Sequence, residues 1–114
     1  LRVVRMAPGQ RTQTLVSLDL GGGVWRLQII AETPGRWTLL ASCMHAGAAV
    51  VQVSCADWAG EQEAWTAEVL QRFTRHRSMN YGSDVMVGSG RRRTVVSTSF
   101  YDRLVCVWEA DVDE

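Results

Sequence analysis

LASCMHAGAAVVQV (40–53) and VSTSFYDRLVCVWE (96–109) lie one over the other when the chain is shifted by 56 residues, residue 40 onto residue 96. The same shift lays VWRLQI (24–29) over NYGSDV (80–85), with no gap between the blocks. Trp25 then falls on Tyr81, Cys43 on Ser99, Met44 on Phe100 and Val51 on Val107. The repeated blocks are short β-rich runs, and Pro34-Gly35, Ala46-Gly47 and Ser89-Gly90 punctuate the chain with turn chemistry. Strands are expected near 2–6, 13–19, 24–31, 37–44, 48–54, 65–71, 81–87, 94–100 and 103–109. One stretch is ambiguous. In 61–75 (EQEAWTAEVLQRFTR), Trp65, Val69, Leu70 and Phe73 also fit one face of a short helix, although an irregular outer strand is the preferred reading.

The second repeat unit carries a polar set at the spacing of WD repeats. His76 lies four residues before Asn80, Thr98 on the next strand, Asp102 in a tight turn, and Trp108 six residues later on a third strand. Such a His, Ser/Thr, Asp and Trp can be buried together because each satisfies another. The first unit has Leu20, Ser42, Ala46 and Gln52 at those positions and lacks the set. The expected fold is therefore all-β: about two C-terminal blades of a WD-repeat β-propeller, each a four-stranded antiparallel sheet. WD repeats ordinarily have a period of about 40–45 residues, so an insertion is expected around 55–66. Residues 1–20 read as the end of a preceding blade or an outer strand, possible alternatively as a fourth strand for the last blade. Residues 21–75 read as a degenerate blade with the insertion, and 76–114 as the C-terminal blade. Two blades cannot close a ring, so missing blades of the same protein are expected partners. The chain by itself is expected to be marginal or oligomeric. Its start at Leu1, within a strand, reads as that of a fragment or a truncated gene model.

Composition restricts function loosely. Twelve basic and twelve acidic residues cancel, so there is no electrostatic case for a nucleic-acid or membrane partner. Every basic residue is Arg, from which nothing follows. The run Arg91-Arg92-Arg93 beside Gly88, Ser89 and Gly90 reads as a solvated loop or as a docking patch for an acidic partner. No apolar run approaches the roughly 18 residues of a membrane helix, and the first residues lack the apolar segment of a signal peptide. Cys43, Cys55 and Cys106 form no CxxC pair and read as thiols in a reducing compartment.

GGGVWRLQ (21–28), LLASCMHAG (39–47), HRSMNYGSD (76–84) and STSFYDRLVCVWE (97–109) resemble, in order, the motif series of the diphthine methylesterase family, often named diphthine methyltransferase. The resemblance runs from about 21 to 110 and is weak in 55–75. It implies a cytoplasmic eukaryotic protein of diphthamide biosynthesis whose partner is elongation factor 2. The implied reaction hydrolyses the methyl ester of methylated diphthine, a modified histidine on that factor, to methanol and a carboxylate. It calls for no cofactor. The chain shows no glycine-rich strand-to-helix turn of the kind S-adenosylmethionine transfer often uses, which favours hydrolysis. Three departures bear on substrate-facing detail: Val85 stands where many members carry Trp, Ala46 falls inside the CMH-x-G turn, and 88–93 is short.

Blade topology groups the candidate residues. The loop entering an innermost strand and the loop joining second to third strands open on one rim, so Gly21, Gly22, Gly23, His76, His45, Tyr101 and Asp102 should crowd together. Ester hydrolysis needs an activated water or nucleophile, and donors for the oxyanion. His45 is the leading general base, against the plain reading of a turn histidine; His76 is second, against its place in the structural set. Asp84 is a candidate to orient a histidine or hold the substrate's trimethylammonium group, or is a solvated carboxylate. Trp25 and Tyr81 offer aromatic faces to that cation, or pack an inner strand. Gly22 and Gly23 are candidates to present backbone N–H groups, or form a tight loop beside Trp25. Tyr101 is a candidate substrate contact, and Asp102 is assigned to structure. No serine elbow and no metal signature is present. The rival readings are a noncatalytic WD-repeat interaction module and an inactive truncated product.

Overall fold

A computed structural model describes residues 1–87 and 90–112. Gly88 and Ser89, in the expected basic loop, and Asp113 and Glu114, at the end of the last expected blade, lie outside the described residues. The described chain is all strand and turn: β1 (Arg2–Arg5), β2 (Gln13–Ser17), β3 (Arg26–Thr33), β4 (Arg36–Ser42), β5 (Ala48–Ala56), β6 (Ala64–Phe73), β7 (Asn80–Val85), β8 (Arg92–Ser99) and β9 (Leu104–Asp111). Each answers to one of the nine expected strands. All pairings are antiparallel, in sheets ordered β1-β2, β3-β4-β5-β6 and β7-β8-β9. This architecture fits fragments of WD-repeat blades. The last sheet differs from the expected four strands: it has three among the described residues, because β1 and β2 pair with each other and neither reaches β9.

The ambiguous segment resolves as β6, and its helix-like spacing has a strand explanation. Val50 pairs with Gln71 but Val51 pairs with Val69, so Leu70 is an extra residue in the ladder. A bulge of this kind switches which face later side chains occupy. Trp65, Ala67 and Val69 pack on one side of the sheet, whereas Leu70 and Phe73 pack on the other. Two strand periods offset by a bulge thus imitate a single helical stripe.

The sequence repeat is real but not gapless. Arg26 faces Ser42 as Gly82 faces Thr98, and Leu27 faces Ala41 as Ser83 faces Ser97, all offset by 56 residues. Across the next turn the offset becomes 57. Leu40 faces Val50 while Val96 faces Val107, so Val51 matches Trp108 and not Val107. The cause is turn length: Cys43 bonds Gly47 around three residues, whereas Ser99 faces Leu104 around four. A single insertion in a turn moves every following residue to the other face of its strand. The β1-β2 hairpin also repeats β5-β6. Its ladder shifts between Val3 and Val4, leaving Leu15 extra, as the larger one shifts between Val50 and Val51, leaving Leu70 extra 55 residues later.

Packing follows from these registers. Between the second and third sheets lie Ile30, Leu40, Ala48 and Val50 from one side and Val95, Trp108, Ala110 and Val112 from the other. Phe73 stacks on Trp108 with ring centroids 4.8 Å apart. On the opposite face of the four-stranded sheet, Leu20, Ala41, Cys43, Ala49, Val51 and Val53 pack with Leu1, Val3 and Leu18 around the hairpin. AAVVQV (48–53) is consequently buried on both faces, as a mostly apolar central strand should be, and it carries Gln52 inward with Nε2 unpartnered among the described residues. The cysteines are free thiols: Cys43 and Cys55 are buried, and burial pushes both thiol pKa values up.

Candidate functional site

One end of the second and third sheets gathers the start of β3, the β4-β5 turn, the connection entering β7 and the β8-β9 turn. The two sheets are stitched together there. Met44 and Asn80 exchange both backbone hydrogen bonds, 3.2 and 2.9 Å, and the Phe100 N–H donates to the Met79 carbonyl at 3.1 Å. His45 follows Met44 directly at the tip of the turn. It is exposed, and its side chain has no hydrogen-bond partner among the described residues.

The glycine run owes its composition to close approach. A Cβ on Gly22 would stand 2.2 Å from the Cys43 carbonyl oxygen, and one on Gly23 would stand 2.9 Å from Met44 Sδ. At Gly22 the run lies against the turn that carries His45 in an approach open only to a residue without Cβ, whereas the flexible end of Met44 could yield at Gly23. Gly21 has φ +83°, and its N–H donates to Asp19 Oδ1 at 2.8 Å.

Aromatic side chains continue along the same end. Trp25 meets Tyr81 edge to face at 5.3 Å, Tyr81 meets Phe100 at 6.2 Å, and Phe100 meets Tyr101 at 5.0 Å. Tyr81 is half-buried, whereas Trp25, Phe100 and Tyr101 are between 64% and 70% exposed. The plain alternative of a core role for Trp25 does not apply at that exposure. Phe100 was not singled out by sequence; the signal available was its place beside Tyr101 in a turn opening on the same rim.

The two histidines are on the same end but in different surroundings. His76 is buried, with Nδ1 2.8 Å from Ser99 Oγ, Nε2 2.6 Å from Ser97 Oγ and its ring edge against Phe73. Indole N–H only donates, and Trp108 Nε1 donates to Ser97 Oγ at 2.9 Å. These contacts link Trp108, Ser97, His76 and Ser99 into one buried chain of hydrogen bonds. Burial lowers the His76 pKa, opposed by the Asp102 charge. Asp102 is held down to about 2, first by Ser99 and further by Ser78 Oγ and the Arg77 N–H. With both ring nitrogens occupied, His76 serves as the lock of the blade.

Thr98 is not in that chain. It lies on the exposed face and donates to the Gly82 carbonyl at 3.3 Å. Trp108 faces Val95 across the ladder, so the inward residues of β8 are Val95, Ser97 and Ser99, one step either side of Thr98. Counting alternation outward from Trp108 would have found both serines.

Asp84 lies elsewhere. Four residues along β7 from Asn80, it is carried about 13 Å from the rim. Its Oδ1 accepts the Val85 N–H at 2.8 Å. It lines an open cleft of about 570 Å³ between the two first strands, with Arg26, Gln28, Gly82 and Thr98. No group of three or more His, Cys, Asp or Glu side chains among the described residues is placed to hold a metal.

No family model matches the chain, and no solved structure matches it. Among curated proteins it is 36% identical over 96 residues to the diphthine methyltransferase of Schizosaccharomyces pombe. The aligned stretch is 83% of this chain and 26% of that protein, so the chain spans about a quarter of its relative's length. Over the 83% of its residues that align, the chain is similar to a member of the diphthine methyltransferase family.

Proposed function

We propose that this chain supplies blades to a propeller enzyme of diphthamide biosynthesis that hydrolyses the methyl ester of methylated diphthine on elongation factor 2. The observation that carries the reading is the meeting, on one rim, of the His45 turn, the glycine run laid against it, and the exposed Trp25–Tyr81 pair. His45 is solvent-facing and free to take a proton from water as that water attacks the ester carbonyl carbon. The C–O bond to the methoxy group then breaks, methanol leaves with a proton, and diphthine keeps a carboxylate. Gly22 and Gly23 are the candidate backbone donors to the oxyanion. Trp25 and Tyr81 face the cationic trimethylammonium group, a contact worth about 0.5–2 kcal/mol; Asp84 is too far along β7 to orient His45 and fits the solvated reading. The β1-β2 hairpin, equivalent to β5-β6, stands as the outer half of a preceding blade, and further blades complete the ring. The proposed setting is the cytoplasm, where elongation factor 2 is the partner.

A noncatalytic interaction module is the second reading, favoured by the lack of a side-chain partner that would fix the His45 tautomer. Methanol release from methylated elongation factor 2 separates the two. The enzyme to assay is a chimera of the fission-yeast relative in which the 96 aligned residues come from this chain. Turnover that falls about 10²–10⁴-fold with His45→Ala supports hydrolysis through His45. Turnover unchanged by His45→Ala removes the site. A folded chimera that binds the factor without releasing methanol supports the module.

A further inference from the structure

We infer that Asn80 is a positioning residue: it pins a turn of one blade from the next, and so sets where His45 stands relative to Tyr81. The inference rests on the proposed hydrolysis for what His45 does, and on backbone and side-chain geometry for the pin.

The turn that carries His45 is closed within itself, with the Cys43 N–H on the Gly47 carbonyl at 2.8 Å and the Ala46 N–H on the Cys43 carbonyl at 3.0 Å. Its outer hold comes from the neighbouring sheet. The Met44 N–H donates to the Asn80 carbonyl and the Asn80 N–H to the Met44 carbonyl, an isolated antiparallel bridge between the blades. The last blade is built otherwise. Phe100, which the 56-residue shift lays on Met44, donates to Met79 of its own blade. Met44 has φ +51°, a left-handed conformation that a side chain keeps only where its surroundings dictate it. His45 follows Met44 and Tyr81 follows Asn80, so this one bridge fixes the spacing of the candidate base and the cation-facing ring.

Side chains fasten the same seam. Ser42 Oγ donates to Ser83 Oγ at 3.0 Å, and Ser83 Oγ donates to Asn80 Oδ1 at 3.2 Å. Ser42 and Asn80 are buried, and Ser42 ends the strand that leads into the His45 turn. The turn is thus gripped at Met44 and again two residues earlier. Asn80 Nδ2 has no hydrogen-bond partner among the described residues. An apolar side chain would avoid the cost of that unmet donor, which points to a task for the carboxamide oxygen beyond packing. The exposed His45 side chain has no partner of its own, so only its backbone places it. A reacting group misplaced by about 1 Å can lose about 10²-fold in rate, which is why such a hold bears on hydrolysis.

The test is made in the chimera of the fission-yeast relative that carries the aligned residues of this chain. Ser83→Val and Ser83→Thr have the same shape and differ in the hydroxyl. Ser83→Val should lower kcat for methanol release about 10–100-fold with KM little changed, and Ser83→Thr should restore it. Asn80→Leu should lower kcat at least as far; if it does not fold, the pair at half-buried Ser83 decides. Wild-type kcat in Ser83→Val, or equal losses in Ser83→Val and Ser83→Thr, overturns the inference. Amide hydrogen exchange keeps the two proposals apart. Exchange at Met44 and Asn80 should be faster in Ser83→Val than in Ser83→Thr, whether or not the ester is cleaved, and equal exchange in both sinks the pin. Faster exchange with turnover indifferent to His45→Ala sinks the esterase site alone. Turnover that needs His45 but not the Ser83 hydroxyl sinks the positioning alone.

Discussion

The two blades solve one packing problem with opposite chemistry. In the second, His76, Ser97, Ser99 and Trp108 form a buried chain of hydrogen bonds. The positions that match them in the first, by strand register, are Leu20, Ala41, Cys43 and Val51, and all four are buried in one apolar cluster. Either set ties the segment entering the inner strand to the sheet. A closed polar chain and an apolar cluster are both acceptable because neither leaves a polar group stranded, whereas a mixture of the two is costly. The degenerate blade is therefore a complete structure of another kind. What distinguishes the blades is which single substitutions each tolerates.

The largest effect should come from the turn that makes the registers differ. Gly47 closes the three-residue turn at φ +79°, and a Cβ there would stand 2.2 Å from the Phe73 carbonyl oxygen. Gly47→Ala should cost about 3–5 kcal/mol in urea unfolding, combining left-handed strain with a backbone clash. The four-residue turn of the second blade puts Arg103 in the left-handed region without glycine, and Arg103→Ala should cost under about 1 kcal/mol. Equal effects at the two turns would remove the distinction.

Next in size is Ser97→Ala, which strands His76 Nε2 and the Trp108 indole N–H together. A loss of about 2–4 kcal/mol is expected, from two buried groups at about 1–2 kcal/mol each. The converse change in the apolar blade, Cys43→Ser, buries one hydroxyl among hydrocarbon and should cost about 1–3 kcal/mol. A stabilised Cys43→Ser chain would mean that the first blade holds unmet polar groups at this site.

The smallest effect is one of pH. Burial puts the folded His76 pKa below its unfolded value of about 6.5, so the unfolded chain binds more protons below that pH. Its contribution is fully present above about pH 6.5 and is lost as the pH falls toward the folded pKa. The melting temperature should therefore decline below pH 6.5, and His76→Leu, the Leu20 solution, should flatten that decline whatever its overall cost. Asp102, held at about 2, adds a second loss only below its ordinary value near 3.8. A decline that persists unchanged in His76→Leu would assign it to other groups.

Much of this was legible in the residues, and the failures have a common cause. The nine strands were readable because β-rich runs and turn residues are local signals. The membership of Thr98 in the polar chain and the gapless repeat missed a one-residue shift, and a shift of the same kind made 61–75 ambiguous although its preferred strand reading held. In β8 it separates Thr98 from Ser97 and Ser99; in the turns it separates Val107 from Trp108; in β6 it is Leu70. His45 and His76 could be placed on one end by topology, yet only burial separated the exposed ring from the locked one.

By itself the sequence determined that the chain is all strand, that it is built of repeated meanders, and which turns share an end. Those properties depend on side-chain type and spacing along a few residues. Tertiary structure decided which face each residue occupies, which histidine is free, and which rings meet. The reason is geometric: strand side chains alternate with a period of two, so one inserted residue reverses the facing of all that follow, and only the paired partner records that it has happened.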